Sequence, residues 1–168
     1  MSVRAEFGFE RTICGCQACT TNCRFMPGFL IPSDLERMIP AGEDAYLWAD
    51  KHLLASPGAL AIRDGQTFRI HTLVPAVKKD GSCIHLTGQL RCGIHAVAPF
   101  GCAYFDCGPE RGNLSSQGLV EVMKAWRAGD LYAKLWNRLW SRWKRQHKPD
   151  ILRERMRRSA SQAAVELP

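Results

Sequence analysis

Eight cysteines in two separated groups of four limit what this chain can fold into more than any other feature. The first group, Cys14, Cys16, Cys19 and Cys23, has the spacing Cys-x-Cys-x2-Cys-x3-Cys. If the chain turns helical after Cys14, then Cys16, Cys19 and Cys23 fall at i, i+3 and i+7 on one face, and Cys14 folds back from an extended approach. The second group, Cys83, Cys92, Cys102 and Cys107, is too widely spaced for one turn of any element and has to be gathered by loops. Two four-cysteine sites and one site drawing on both groups are both compatible with this pattern.

A chain of 168 residues can bury a core without crosslinks, so the cysteines need a chemical reason. Disulfide frameworks belong to small exported domains. The stretch Met1–Glu10 is interrupted by charge and carries no apolar run of the signal-peptide kind, and no uncharged stretch approaches the ~18 residues of a membrane span. The expectation is a cytoplasmic protein with no transmembrane segment and with reduced thiols. Buried structural thiols would not cluster four within ten residues, which leaves metal binding.

Zinc sites commonly pair two Cys-x2-Cys knuckles, and only Cys16 and Cys19 form one here. Iron–sulfur clusters accept thiolates at less regular spacings and from loops, so an iron–sulfur cluster, of the [4Fe–4S] kind, is preferred over zinc. All eight cysteines are candidate ligands. His85, two residues after Cys83, and His95, three after Cys92, are second-choice ligands. Four thiolates around a 2+ centre leave about −2 of charge, and Arg11, Arg24 and Arg91 stand near enough in sequence to offset it.

Around the cysteines, Ser33-Asp-Leu-Glu36 reads as a capping box opening a short helix to about Met38, and Glu43 to Ala55 as a second helix. Segments 59–63 and 67–74 flank Asp64-Gly65, a hairpin turn signal, and Pro75 closes the second strand. Lys78–Ser82 is a polar loop delivering Cys83, and Thr87-Gly-Gln89 a turn between two short extended pieces that end at Cys92. From Gly93 to Gly112 the breakers are too dense for regular structure, and Asp106 is read as a loop cap. Helices are expected over 119–128, 131–147 and 151–158. The fold class is α+β: a loop-rich cysteine domain over 1–123, a basic helical segment packed on it over 124–158, and a frayed end over 159–168.

The ordered motifs Pro32-Ser-Asp-Leu-Glu-Arg37, Cys83-Ile-His-Leu, Cys92-Gly-Ile-His, Pro99-Phe-Gly-Cys102 and Phe105-Asp-Cys107, following the first cysteine group, resemble the YkgJ-type cysteine-cluster family, described as a zinc- or iron-chelating domain. The resemblance covers about 14–107 and implies that all eight cysteines are candidate ligands. Flagellin lysine N-methylases carry related clusters understood to hold an iron–sulfur cluster. This chain departs from the family in Thr20-Thr-Asn22, which separates cysteines that are usually adjacent, and in Ala98 where arginine is common.

The formal charge of +7 belongs to the far end: residues 1–123 hold 11 Lys/Arg and 12 Asp/Glu, whereas 124–158 hold 12 and 3. In 131–147, Tyr132, Trp136, Leu139, Trp140 and Trp143 share one helical face and Lys134, Arg138, Arg142 and Arg145 another. The leading reading packs the aromatic face on the cysteine domain. A protein partner, nucleic acid or an anionic membrane surface on the basic face is the alternative. The sequence contains no phosphate-binding glycine loop and no nucleophile elbow, so an independent enzyme is not expected. A metal-binding protein with a structural or redox-sensing role is the first expectation, with an oxidoreductase or electron-transfer component and a nucleic-acid-associated zinc module behind it.

Overall fold

A computed structural model describes residues 20, 21, 23, 24, 27–104, 114–160 and 164–168. The fold is α+β. A long hairpin, β1 (Leu53–Arg63) and β2 (Gln66–Pro75), forms the centre of a three-stranded sheet ordered β2-β1-β3, with β3 at Val165–Glu166. Helices α1 (Pro32–Met38) and α2 (Ala45–His52) precede it; α3 (Phe100–Tyr104), α4 (Leu114–Ala128), α5 (Leu131–Gln146) and α6 (Pro149–Ala160) follow. Among the described residues no helix is long and apolar enough to cross a membrane.

The hairpin turns at Asp64-Gly65 as expected, with φ of 53° and 73°, the doubly positive geometry that matches strand twist. β1 starts earlier than the sequence suggests. The expected helix over 43–55 stops at His52, because Asp44 caps its start through the Leu47 amide (2.9 Å) and Leu53–Ser56 pair instead with Pro75–Thr72. Register slips at Pro57-Gly58, which makes a bulge. Proline has no ladder donor to lose there. Gly58 has φ +90°, and a Cβ on it would lie 1.7 Å from the Ile70 carbonyl oxygen, so only glycine fits. The His71 Nδ1–H donates to the Pro57 carbonyl (2.9 Å) and fixes the bulge from across the hairpin.

α1 starts at Pro32, not after Ser33. Proline at the first position loses no bond, and the carboxylate that caps the turn is Asp34, which accepts from the Ile31 amide at 2.8 Å. The breaker-rich stretch after Gly93 contains a 3-10 turn (His95–Val97) and the short α3, where no regular structure was expected. Residues 159–168, expected to fray, carry β3: Val165 and Glu166 run parallel to Ala61 and Ile62, and the Leu167 amide donates to the Ile62 carbonyl (2.9 Å). Val165 and Leu167 pack against the core, which is what holds the end down.

α5 lies along the hairpin, and its aromatic face does the packing. Trp136 donates to the Ser56 carbonyl (2.8 Å), and Trp126 of α4 donates to that of His71 (3.0 Å). Rings of His71, Trp136, Trp140, Trp143 and His147 form one column with centroid spacings of 4.3, 5.1, 5.5 and 4.3 Å. On the basic face, Arg138 forks onto Asp50 (3.1 and 2.7 Å) and Arg142 joins it at 3.4 Å, so two of the four cations are turned to this chain's own carboxylate. The Arg138 hydrogen bond holds the Asp50 carboxyl below its usual range despite partial burial.

Tyr132 joins three layers. Its fully buried hydroxyl donates to the Leu30 carbonyl (2.7 Å) and accepts from the Leu73 amide (2.8 Å). Tyr132→Phe strands both backbone groups, and urea denaturation should show a loss of about 1–3 kcal/mol. Burial holds the phenol protonated well above its usual value of 10.0. A group raised in the folded state contributes fully below its unfolded pKa and loses that contribution above it. The stability gap between the natural protein and the variant should therefore narrow as pH rises past about 10.

Candidate metal centre

Cys14, Cys16, Cys19 and Cys107 lie outside the described residues, as does Asp106. Cys23, in a helical stretch, Cys83, Cys92 and Cys102 are described, and their surroundings show how the two groups approach each other. The Cys83 amide donates to the Cys23 carbonyl at 2.7 Å. One hydrogen bond thus ties the end of the first cysteine group to the beginning of the second.

Local turns deliver Cys83. Val77 pairs with Cys83, the Lys78 amide reaches the Ser82 carbonyl (2.7 Å), and the Asp80 carboxylate accepts from both the amide and the hydroxyl of Ser82. The polar loop expected over Lys78–Ser82 is a tight reversal, and Cys83 behind it is buried. A second small hairpin follows: Leu86 pairs with Cys92, and Thr87 and Leu90 close the turn between them. The Gly93 amide returns to the His85 carbonyl (2.8 Å), which holds Cys92 beside the turn that carries Cys83.

Cys102 arrives by a different route. The Gly28 amide donates to its sulfur at 3.3 Å, and the Gly101 amide donates to the Phe29 carbonyl at 2.8 Å. The two backbones touch: a Cβ on Gly28 would lie 2.1 Å from the Cys102 nitrogen, and one on Gly101 would lie 2.4 Å from the Phe29 nitrogen. Asp34 locks the same seam, because its buried Oδ2 accepts from Phe100 as well as Ile31, both at 2.8 Å, while Arg37 holds Oδ1 at 2.5 Å. Sequence reading took Asp34 for an interior position of a capping box. The signal available was an acid two residues after a helix-opening proline.

The Cys83 sulfur sits in opposed fields. Burial pushes its thiol up to about 11, and the neighbouring Cys23 and Cys92 thiols push the same way, while backbone amides of His85 and Leu86 donate to it and pull it down. Amides aimed at a sulfur stabilise the thiolate form, the one that binds metal. Cys83 and Cys92 are in no disulfide.

The buried Nε2 of His85 has no hydrogen-bond partner among the described residues, and its ring stacks on His52 (6.2 Å, 5°), which stacks on Trp48 (4.6 Å, 18°). Burial, with the charge of His52, pushes His85 down and favours the neutral imidazole. His95 lies in the 3-10 turn with its Nε2 buried. Arg24 and Arg91 are exposed, and Arg11 lies outside the described residues. Among the described residues, no three His, Cys, Asp or Glu side chains stand together closely enough to hold a metal ion. No family model, no curated protein and no solved structure matches this chain.

The electrostatics of Cys83 can be checked directly. With its thiol near 11 instead of 9.0, the thiolate fraction at pH 8 is roughly a hundredfold below that of an ordinary cysteine. In folded protein stripped of metal, mass-spectrometric mapping should find Cys83 the slowest of Cys23, Cys83 and Cys92 to be alkylated by iodoacetamide, with its rate still rising between pH 9 and about 11. Equal rates at all three would contradict this electrostatic account.

Proposed function

We propose that this chain is a metal-binding protein that holds an iron–sulfur cluster, with zinc as the other candidate occupant, through thiolates drawn from both cysteine groups. The observation that carries the reading is the Cys83 amide bonded to the Cys23 carbonyl, with Cys92 folded back beside the same turn. Soft sulfur donors from three chain segments suit zinc and iron–sulfur chemistry and exclude the hard cations that prefer oxygen. Cys23, Cys83 and Cys92 would hold the group together with members of Cys14, Cys16 and Cys19. Cys102, seated on Gly28, and Cys107 complete the candidate set.

Bound in this place, a cluster supplies one-electron exchange, and zinc supplies a crosslink between segments. The chain contributes the rest. Amides of His85 and Leu86 donate to the Cys83 sulfur, a contact that withdraws electron density and favours the reduced form of a bound redox group. Cys83 itself is 5% exposed, so little water reaches it.

A structural or redox-sensing role follows, in a reducing cytoplasm where these cysteines stay thiols. The ordered cysteine groups support placing the chain beside the YkgJ-type cysteine-cluster domains. Nucleic-acid binding through α5 receives less support, because Arg138 and Arg142 are directed to Asp50.

Anaerobic purification followed by a visible spectrum and iron, zinc and acid-labile sulfide analysis tests the proposal. Broad visible absorption with iron and sulfide is expected, and Cys23→Ser, Cys83→Ser and Cys92→Ser should each lose most of it. A colourless protein with zinc and no sulfide overturns the cluster assignment. Protein without either metal overturns the reading as a whole.

A further inference from the structure

A cavity of about 440 Å³, open to solvent and lined by no cysteine, lies where α1 and the first residues of α2 and α5 converge. Pro32, Leu35, Glu36 and Ile39 make one wall, at the i, i+3, i+4, i+7 spacing of a single helical face. Ala45 opens α2 and Leu131 opens α5, and both line the cavity with Tyr132. The most buried of these residues are Tyr132 and Leu35, at 1% and 3% exposure. Tyr132 is fixed by its bonds to the Leu30 carbonyl and the Leu73 amide, so this side of the cavity is preformed.

Both charged residues in the lining are acids, Glu36 and Asp130. Among the described residues neither is in an ion pair. Glu43 and Asp44, exposed on the turn that leads into Ala45, carry the same sign, in a chain whose net charge is +7. The helix starts at Ala45 and Leu131 would by themselves favour an anion. Both are already answered within the chain: the Asp44 carboxylate accepts from the Leu47 amide (2.9 Å), and that of Asp130 accepts from the Tyr132 amide (2.8 Å). A helix end carries about half a charge and a capping aspartate a whole one, so each capped end is net negative.

We propose that this cavity binds a small organic amine, with its ammonium group directed to Glu36 and Asp130 and its apolar body against Leu35, Ile39 and Leu131. Mostly apolar walls with a few placed polar groups are the anatomy of a small-molecule site, and the volume falls in the range of about 300–1,000 Å³ that such sites occupy. The acids set the sign of the ligand. A hard metal cation is poorly served by a lining that offers two carboxylates among apolar side chains, because such ions take six or more oxygens. An ammonium on an apolar body uses both parts of the lining. The site shares no residue with the proposed metal centre and stands or falls apart from it.

The test titrates the full chain with phenylpropylamine, and separately with phenylpropanol and phenylpropanoate, while backbone amide shifts are followed. The amine should saturate with a dissociation constant on the order of 1 mM, with shifts centred on 32–39, 45 and 130–132. It should bind roughly fivefold tighter than the alcohol, an advantage that shrinks as salt is added, and the carboxylate should bind least. Glu36→Gln and Asp130→Asn should each weaken the amine roughly threefold; asparagine still caps the helix, so the second change removes charge and keeps the fold. Ala45→Phe fills the cavity and should abolish binding of amine and alcohol alike, with a thermal melt confirming that the variant is folded; if it is not, the two charge variants decide. No saturation by the amine, equal affinity for amine and alcohol, tighter binding of the carboxylate, or an amine affinity unchanged in both charge variants overturns the proposal. Self-association that the amine disperses would identify the basic end of a second copy as the occupant, and overturns it too.

Discussion

The carboxylate of Asp34 is fully buried, and the joint between the chain before α1 and the start of α3 depends on what compensates it. An ion of this kind costs several kcal/mol to desolvate unless its lone pairs are filled. Here they are filled by the amides of Ile31 and Phe100 and by Arg37, so the segment that follows Cys23 and the segment that leads to Cys102 share one acceptor. Without the side chain at position 34 the two segments lose the acceptor they share, and only the Gly28–Cys102 and Gly101–Phe29 hydrogen bonds remain across this joint of those described above.

Residues 28–34 act in this way as a seam against which three other parts of the chain are registered. Gly28 and Phe29 meet Gly101 and Cys102, Leu30 meets Leu73 and Tyr132, and Ile31 and Asp34 meet Phe100. The strands and α5 thus determine where the seam lies, and the seam determines where the cysteine-bearing segments begin. A metal centre assembled at its margin, as proposed, would be coupled to the fold from one side only. Cys23 and Cys92 raise the pKa of the Cys83 thiol, and a cation held as proposed would stabilise the Cys83 thiolate, which would couple metal binding to closure of these loops.

Local chemistry was legible in the sequence where one residue decides the conformation. Asp64-Gly65 forced a turn, Gly129-Asp130 separated α4 from α5, and the spacing of Tyr132, Trp136 and Leu139 named the buried face. Leu53 and Leu54 were misassigned because an apolar pair satisfies a helical and a strand period equally well, and the decision came from partners about twenty residues away in β2. Val165 was misassigned for a related reason: two residues carry no period, and only the free side of β1 gives them structure. At the candidate site the sequence showed which residues carry sulfur. It could not show that Cys83 bonds to Cys23, because that contact spans sixty residues and depends on the seam.

Charge completes the argument. The excess basicity of the far end suggested a binding face, yet Arg138 and Arg142 share Asp50, and the aromatic side of α5 is spent on the hairpin. Among the described residues Lys79 and Arg91, beside Cys83 and Cys92, are also exposed and form no ion pair. A thiolate centre of the proposed kind would be anionic and would attract such cations. Val77, Ile84 and Leu90 face solvent on the same loop, and Leu90 does so in a backbone conformation that glycine would adopt without strain. Charge compensation alone accounts for the lysine and the arginine; it does not account for the leucine.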